Sequence, residues 1–168
     1  MLPDVLDDAE KAGKIVPGSR ADVAHVDVAV GQRGDAPKVD ISTVEALKKA
    51  MLNAKSVKWA VTGAALPGTN KIFEVTKVSE AIKDRANLPG QVPLGPGEYE
   101  LQFNPLSEIL ANKNLQNLGP VPKDVNVPVV MTAAIGASAP DKKSAEALIK
   151  FLSSPAVLPA LKTHGMMR

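Results

Sequence analysis

Apolar positions recur along this chain with two spacings, one helical and one alternating, and the two take turns. Val5, Leu6, Ala9 and Ala12 follow helical spacing, with Pro3 near the start and Gly13 as a stop, and predict a first helix. Over residues 21–30 the period drops to two. Ala24, Val26, Val28 and Val30 share one face and Val23, His25, Asp27 and Ala29 the other, which predicts a single strand. Residues 32–40 read as a polar Gly/Pro loop. Ser42 is then expected to cap a helix, with Glu45 in the capping-box position and Val44, Leu47, Met51 and Leu52 as its apolar stripe. A short strand is predicted over 56–61 and a small-residue loop over 62–68. Thr69 or Asn70 is expected to cap a helix carrying Ile72, Val75, Val78 and Ile82. Residues 87–97, with three Pro and three Gly, are the strongest break in the chain. Beyond it come a strand over 99–103, a short helix with Leu106, Ile109 and Leu110, and an apolar strand over 127–135 whose ladder Pro128 restricts. Ala145, Leu148, Ile149 and Leu152 mark the clearest helix, over 141–152, and Val157, Leu158 and Leu161 a last short one. Strands alternating with helices predict an α/β protein.

Composition narrows the function classes. A chain of 168 residues builds one ordinary domain or two small ones with a buried core. With 20 basic against 18 acidic residues the net charge is 20 − 18 = +2, which gives no nucleic-acid footprint. Aromatic residues are only 3%, too few for base-stacking platforms. Cysteine is absent, which excludes disulfides, thiol catalysis and thiolate metal sites. No apolar run is long enough for a membrane span. The N-terminal residues lack a basic region followed by an apolar stretch, so no signal peptide is expected in this sequence.

Few residues carry chemistry by pattern. His25 and His164 lie far apart with no metal-ligand spacing, and His25 reads as a strand residue. Asp4, Asp7, Asp8 and Glu10 lack the calcium-loop pattern and read as a charged helix face. No Gly-x-Ser-x-Gly elbow supports a serine nucleophile. Gly63 and Gly68 have P-loop spacing and Thr69 follows, but the required Lys is missing, which disfavours nucleoside triphosphates. What remains is an ordinary strand–helix loop or a generic anion site, in which free N–H groups and the Thr69 hydroxyl hold an oxyanion.

Several stretches together resemble the type II periplasmic solute-binding proteins, in the branch similar to molybdate-binding proteins. They are Leu2-Pro3-Asp4-Val5-Leu6, Gly13-Lys14-Ile15-Val16-Pro17-Gly18-Ser19-Arg20, Asp40-Ile41-Ser42-Thr43-Val44-Glu45-Ala46-Leu47, Leu106-Ser107-Glu108-Ile109-Leu110, Ala145-Glu146-Ala147-Leu148-Ile149 and Thr163-His164-Gly165-Met166. The resemblance implies two α/β lobes joined by crossing strands. The first lobe, residues 1–55 and 126–168, is incomplete because the family's N-terminal portion is missing, and the second is residues 56–125. It implies a small anion, an oxyanion or organic acid, held by helix-start residues Gly68, Thr69 and Asn70 and by Asn104, for delivery to a membrane transporter. It also implies a periplasmic or secreted location. Three explanations of the incomplete lobe stay open: a second chain completes it, the protein pairs with itself, or the sequence is a fragment. No cofactor, metal, nucleic-acid partner or catalytic residue is expected, and the chain is read as a binding protein rather than an enzyme. Two alternatives stay open: an organic-acid or ketosteroid isomerase on the same fold, with Glu98, Glu100 or Glu108 as base, and a ligand-free remnant with an interaction or defence role.

Overall fold

The computed structural model describes residues 2–168. It divides into two compact units, one made of the residues up to Val26 with Val129–Arg168, the other of Asp27–Pro128. Residues 27–55 thus belong to the second unit, whereas the sequence reading grouped them with the first. The reason is that the alternation over 21–30 is not one strand. It is β1, Ala21–Val26, and β2, Val28–Gly34, in two different sheets. Asp27 marks the break: its carbonyl accepts from Leu106 N at 2.9 Å and its carboxylate from Asn126 Nδ2 at 2.7 Å.

In the first unit, α1 (Pro3–Lys11) precedes β1, the centre of a three-stranded antiparallel sheet. Its neighbours are β6 (Val129–Ala133) and the two-residue β7 (Met166–Met167). Leu6, Ala24, Val26 and Val129 are buried there. The helices α6 (Lys142–Leu152) and α7 (Leu158–Thr163) bury no residue. Asp141 caps α6 by accepting from Ser144 N at 2.9 Å, so that helix forms where its pattern predicts. Its apolar stripe stays open, with Leu148 and Phe151 each 56% exposed.

The second unit is built on a four-stranded sheet in the order β3 (Ser56–Trp59), β4 (Tyr99–Pro105), β2, β5 (Gln116–Pro120). β4 runs parallel to β3 and antiparallel to β2. The predicted loop over 32–40 starts three residues later, because β2 continues to Gly34 and Gln32 is buried with its amide bonded to Ala36 O and Val39 N. Thr43, not Ser42, caps α2 (Val44–Asn53), accepting from Ala46 N at 3.1 Å, so Glu45 misses the capping-box position. Leu47, Ala50 and Met51 of α2 enter the core, and Tyr99 ties its hydroxyl to Ala50 O. α3 (Leu66–Thr76) ends at Lys77 in the left-handed region, and α4 (Ser79–Ile82) and α5 (Leu106–Ala111) complete the unit.

Candidate functional site

Register and alternation sort the second unit's sheet into unlike faces. Val57, Leu101, Phe103, Val28 and Val30 lie on one, buried and apolar. On the other, Ser56 pairs with Glu100, Lys58 with Gln102, Arg33 with Glu100 and Ala29 with Asn104. Ser, Lys, Glu, Gln, Arg and Asn side chains therefore share a single face, which has to satisfy its polar groups within itself or through whatever covers it.

Glu100 is fully buried at the centre of this face. Its Oε1 accepts from Arg33 Nε at 3.2 Å and from Gln102 Nε2 at 2.8 Å. Its Oε2 makes no hydrogen bond but faces Lys58 Nζ at 3.5 Å. Burial pushes the Glu100 carboxyl up, yet the bonds from Arg33 and Gln102 and the charges of Arg33 and Lys58 outweigh it, and the group is held below its ordinary value. Both cations also fasten the Pro/Gly segment 87–97. Lys58 donates to Gly90 O and Arg33 Nη2 to Val92 O at 2.7 Å. The segment is thus anchored through carbonyls, the acceptors that remain where Pro removes N–H groups.

At the carboxyl ends of β3 and β4 this face opens into a cavity of about 180 Å³ lined by Lys58, Trp59, Asn87, Leu88, Gln102 and Asn104. Asn87 takes a left-handed φ of 48°, which asparagine tolerates, and bridges β3 through its N–H to Val57 O and its Oδ1 from Trp59 N. Among the described residues no bond engages the Asn87 amide NH₂. Asn104 is half-buried, and among the described residues nothing bonds to its side-chain amide. Trp59 packs against Phe73 with ring centroids 4.4 Å apart, tying the cavity wall to α3.

The other residues considered as ligand contacts or bases sit elsewhere in the second unit. α3 starts at Leu66 with Ala65 as its N-cap residue, so neither Thr69 nor Asn70 caps it. The helix begins earlier because Pro67 suits a first-turn position. Thr69 is fully buried and its hydroxyl donates to Ala65 O at 2.9 Å. The Leu66 N–H closes a turn on Gly63 O and Pro67 has none, so this helix start offers few donors. Gly68 is buried against Val28: a Cβ added there meets Val28 Cγ2 at 2.6 Å. Asn70 is exposed. Of the carboxylates considered as bases, Glu98 accepts from Gly95 N and Lys55 Nζ, which hold it below its ordinary value. Glu108 is exposed on α5. Among the described residues no group of His, Asp and Glu is placed to hold a metal ion. The sequence reading missed Lys58, Gln102 and Arg33. Their signal was the alternation Glu100-x-Gln102-x-Asn104, whose polar partners lay on the strands beside it.

The profile of the bacterial extracellular solute-binding proteins matches residues 2–167. The chain belongs to this family. That membership supports binding of a small solute and an extracytoplasmic location. Solved structures share the fold. The substrate-binding domain of a Clostridium difficile ABC transporter assigned to molybdenum superposes with a TM-score of 0.69 at 11% identity, covering 98% of this chain and 73% of that one. The periplasmic molybdate-binding protein of Azotobacter vinelandii gives 0.66 at 16% identity, with 98% and 74% covered. Peb3 of Campylobacter jejuni with bound L-phospholactate gives 0.62 at 14% identity, with 97% and 74% covered. Among curated proteins, an aconitate isomerase from Pseudomonas sp is 25% identical over 170 residues, 99% of this chain. The chain spans 65% of the length of that relative. This similarity to an enzyme overturns the reading of the chain as purely non-catalytic.

Proposed function

We propose that this solute-binding chain takes a small anion, of the organic-acid class, into the cavity beside Lys58. One observation carries the reading: two cations, Arg33 and Lys58, share the single buried carboxylate of Glu100, so one positive charge is unbalanced at the cavity wall. In a partly buried site such a charge acts more strongly than in water and favours a negative ligand. The neutral amides of Asn87, Gln102 and Asn104 supply hydrogen bonds that fix its orientation. About 180 Å³ is below the range of roughly 300–1,000 Å³ usual for drug-sized ligands, so the cavity suits a compact acid or oxyanion. Asn104 thereby keeps its proposed ligand role, Asn70 is a peripheral candidate, and Gly68 and Thr69 serve packing. Membership of the solute-binding family supports delivery of the bound solute to an ABC transporter.

The similarity to aconitate isomerase favours a second reading, in which the bound acid is also isomerised. Moving a double bond along such an acid needs a base that removes a proton from one carbon and returns it to another. Lys58 is the one titratable residue among the six lining the cavity, so in this reading its uncharged amine form takes the proton from one carbon and the ammonium so formed returns it to the other. Calorimetry with trans-aconitate, citrate, molybdate and sulfate tests the first reading, and heat with none of them refutes it. Proton NMR in heavy water with cis- or trans-aconitate tests the second. Deuterium entering the ligand and interconversion of the isomers are expected, and an unchanged spectrum rejects it.

A further inference from the structure

We infer that Glu100 is a positioning residue for this cavity, holding Lys58 and Gln102 in the orientation that a ligand meets; the inference rests on the cavity being the ligand site. Glu100 is not among the residues lining the cavity, yet it touches two that are. Gln102 gives one proton of its NH₂ to Glu100 Oε1, and that bond fixes how its second N–H and its carbonyl oxygen are presented. Lys58 is held between Gly90 O and Glu100 Oε2, and an ammonium has three protons, so at least one remains for a ligand. Glu100 is itself fixed by Arg33, whose guanidinium is pinned in turn to Val92 O. A single buried carboxylate thus sets how Lys58 and Gln102 meet the cavity and, through the two cations, the segment that carries Asn87 and Leu88.

The variant Glu100→Gln isolates this role. Oε1 receives two donors, so the new amide places its oxygen there and turns its NH₂ toward Lys58. A donor then faces a donor, and the ammonium is pushed off its place. The test is the rate at which trinitrobenzenesulfonate modifies Lys58 in the ligand-free protein, followed by peptide mass spectrometry with Lys55 as internal control. Lys58 is expected to react several-fold faster in Glu100→Gln than in the parent, and Glu100→Asp, which keeps the charge, is expected to recover part of the slow rate. An unchanged Lys58 rate overturns the inference. If Glu100→Gln does not fold, the double variant Arg33→Met with Glu100→Gln, which removes a buried cation along with its partner, takes the same measurement. Calorimetry with trans-aconitate then separates the two claims. About tenfold weaker binding in Glu100→Gln is expected from the displaced charge-assisted contact, and equal affinity overturns the positioning role. Absence of binding in the parent removes the ligand site alone, because the Lys58 rate still decides what Glu100 does.

Discussion

Arg33 and Lys58 are 18% and 21% exposed at the side chain and share a carboxylate that is fully buried. Such a cluster is sensitive to the loss of any member, since an unpaired buried charge costs more than the pair gains. It also makes stability depend on pH. The Glu100 carboxyl is held lower in the folded chain than in the unfolded one. Its contribution is therefore present above the unfolded value, about pH 4.3 for a glutamate, and is lost as pH falls through the folded value. Urea midpoints measured from pH 7 down to 3 are expected to fall more steeply below about pH 4.3 in the parent than in Glu100→Gln. Parallel curves would show that Glu100 carries no such linkage. At the same scale, Asn104→Ala removes a half-buried amide without disturbing any bonded neighbour. We expect it to leave stability within about 0.5 kcal/mol and to weaken anion binding by a hydrogen bond's worth, about 1 kcal/mol. A large fall in thermal midpoint would mean that Asn104 serves the fold instead.

At the scale of elements, helix positions were legible from apolar spacing and helix starts less so. α6 begins where Asp141 predicts it, whereas α3 opens three residues before Thr69. There the capping signal lost to Pro67, which already has a helical φ, and to the burial of Gly68 against β2. Gly68→Ala is expected to destabilise the chain by about 1–3 kcal/mol, because the added methyl meets Val28 and the Val127 carbonyl in a packed core. Thermal or urea unfolding reads this directly, and a neutral outcome would show that α3 can slide on the sheet. Strand alternation located β4 and the start of β2 but not their partners. Register is a long-range property, and only pairing shows that Lys58, Glu100 and Arg33 meet. The cavity was therefore legible in a single residue, Asn104, and Asn104 itself came from the family resemblance rather than from spacing.

Over the whole molecule, the alternation of helices and strands announced an α/β chain, and resemblance announced two lobes. The break at Asp27 was hidden because nothing in the alternation through Val26 and Val28 marks a change of sheet. The two units differ in how fully their helices are covered. Leu47 of α2 is buried, while Leu148 of α6 is 56% exposed. Leu47→Ala is expected to cost about 2–5 kcal/mol and Leu148→Ala to stay within about 0.5 kcal/mol. Equal losses would mean that α6 is covered in solution. The central claim is that the unbalanced charge at Lys58 draws a small organic anion into the second unit. Its most direct measurement is calorimetry of the full chain and of Lys58→Met with trans-aconitate at two salt concentrations. Binding by the parent that weakens with salt, and at least about tenfold weaker binding by Lys58→Met, is the expected result. Equal affinity in the two proteins, or no binding by the parent, would contradict it.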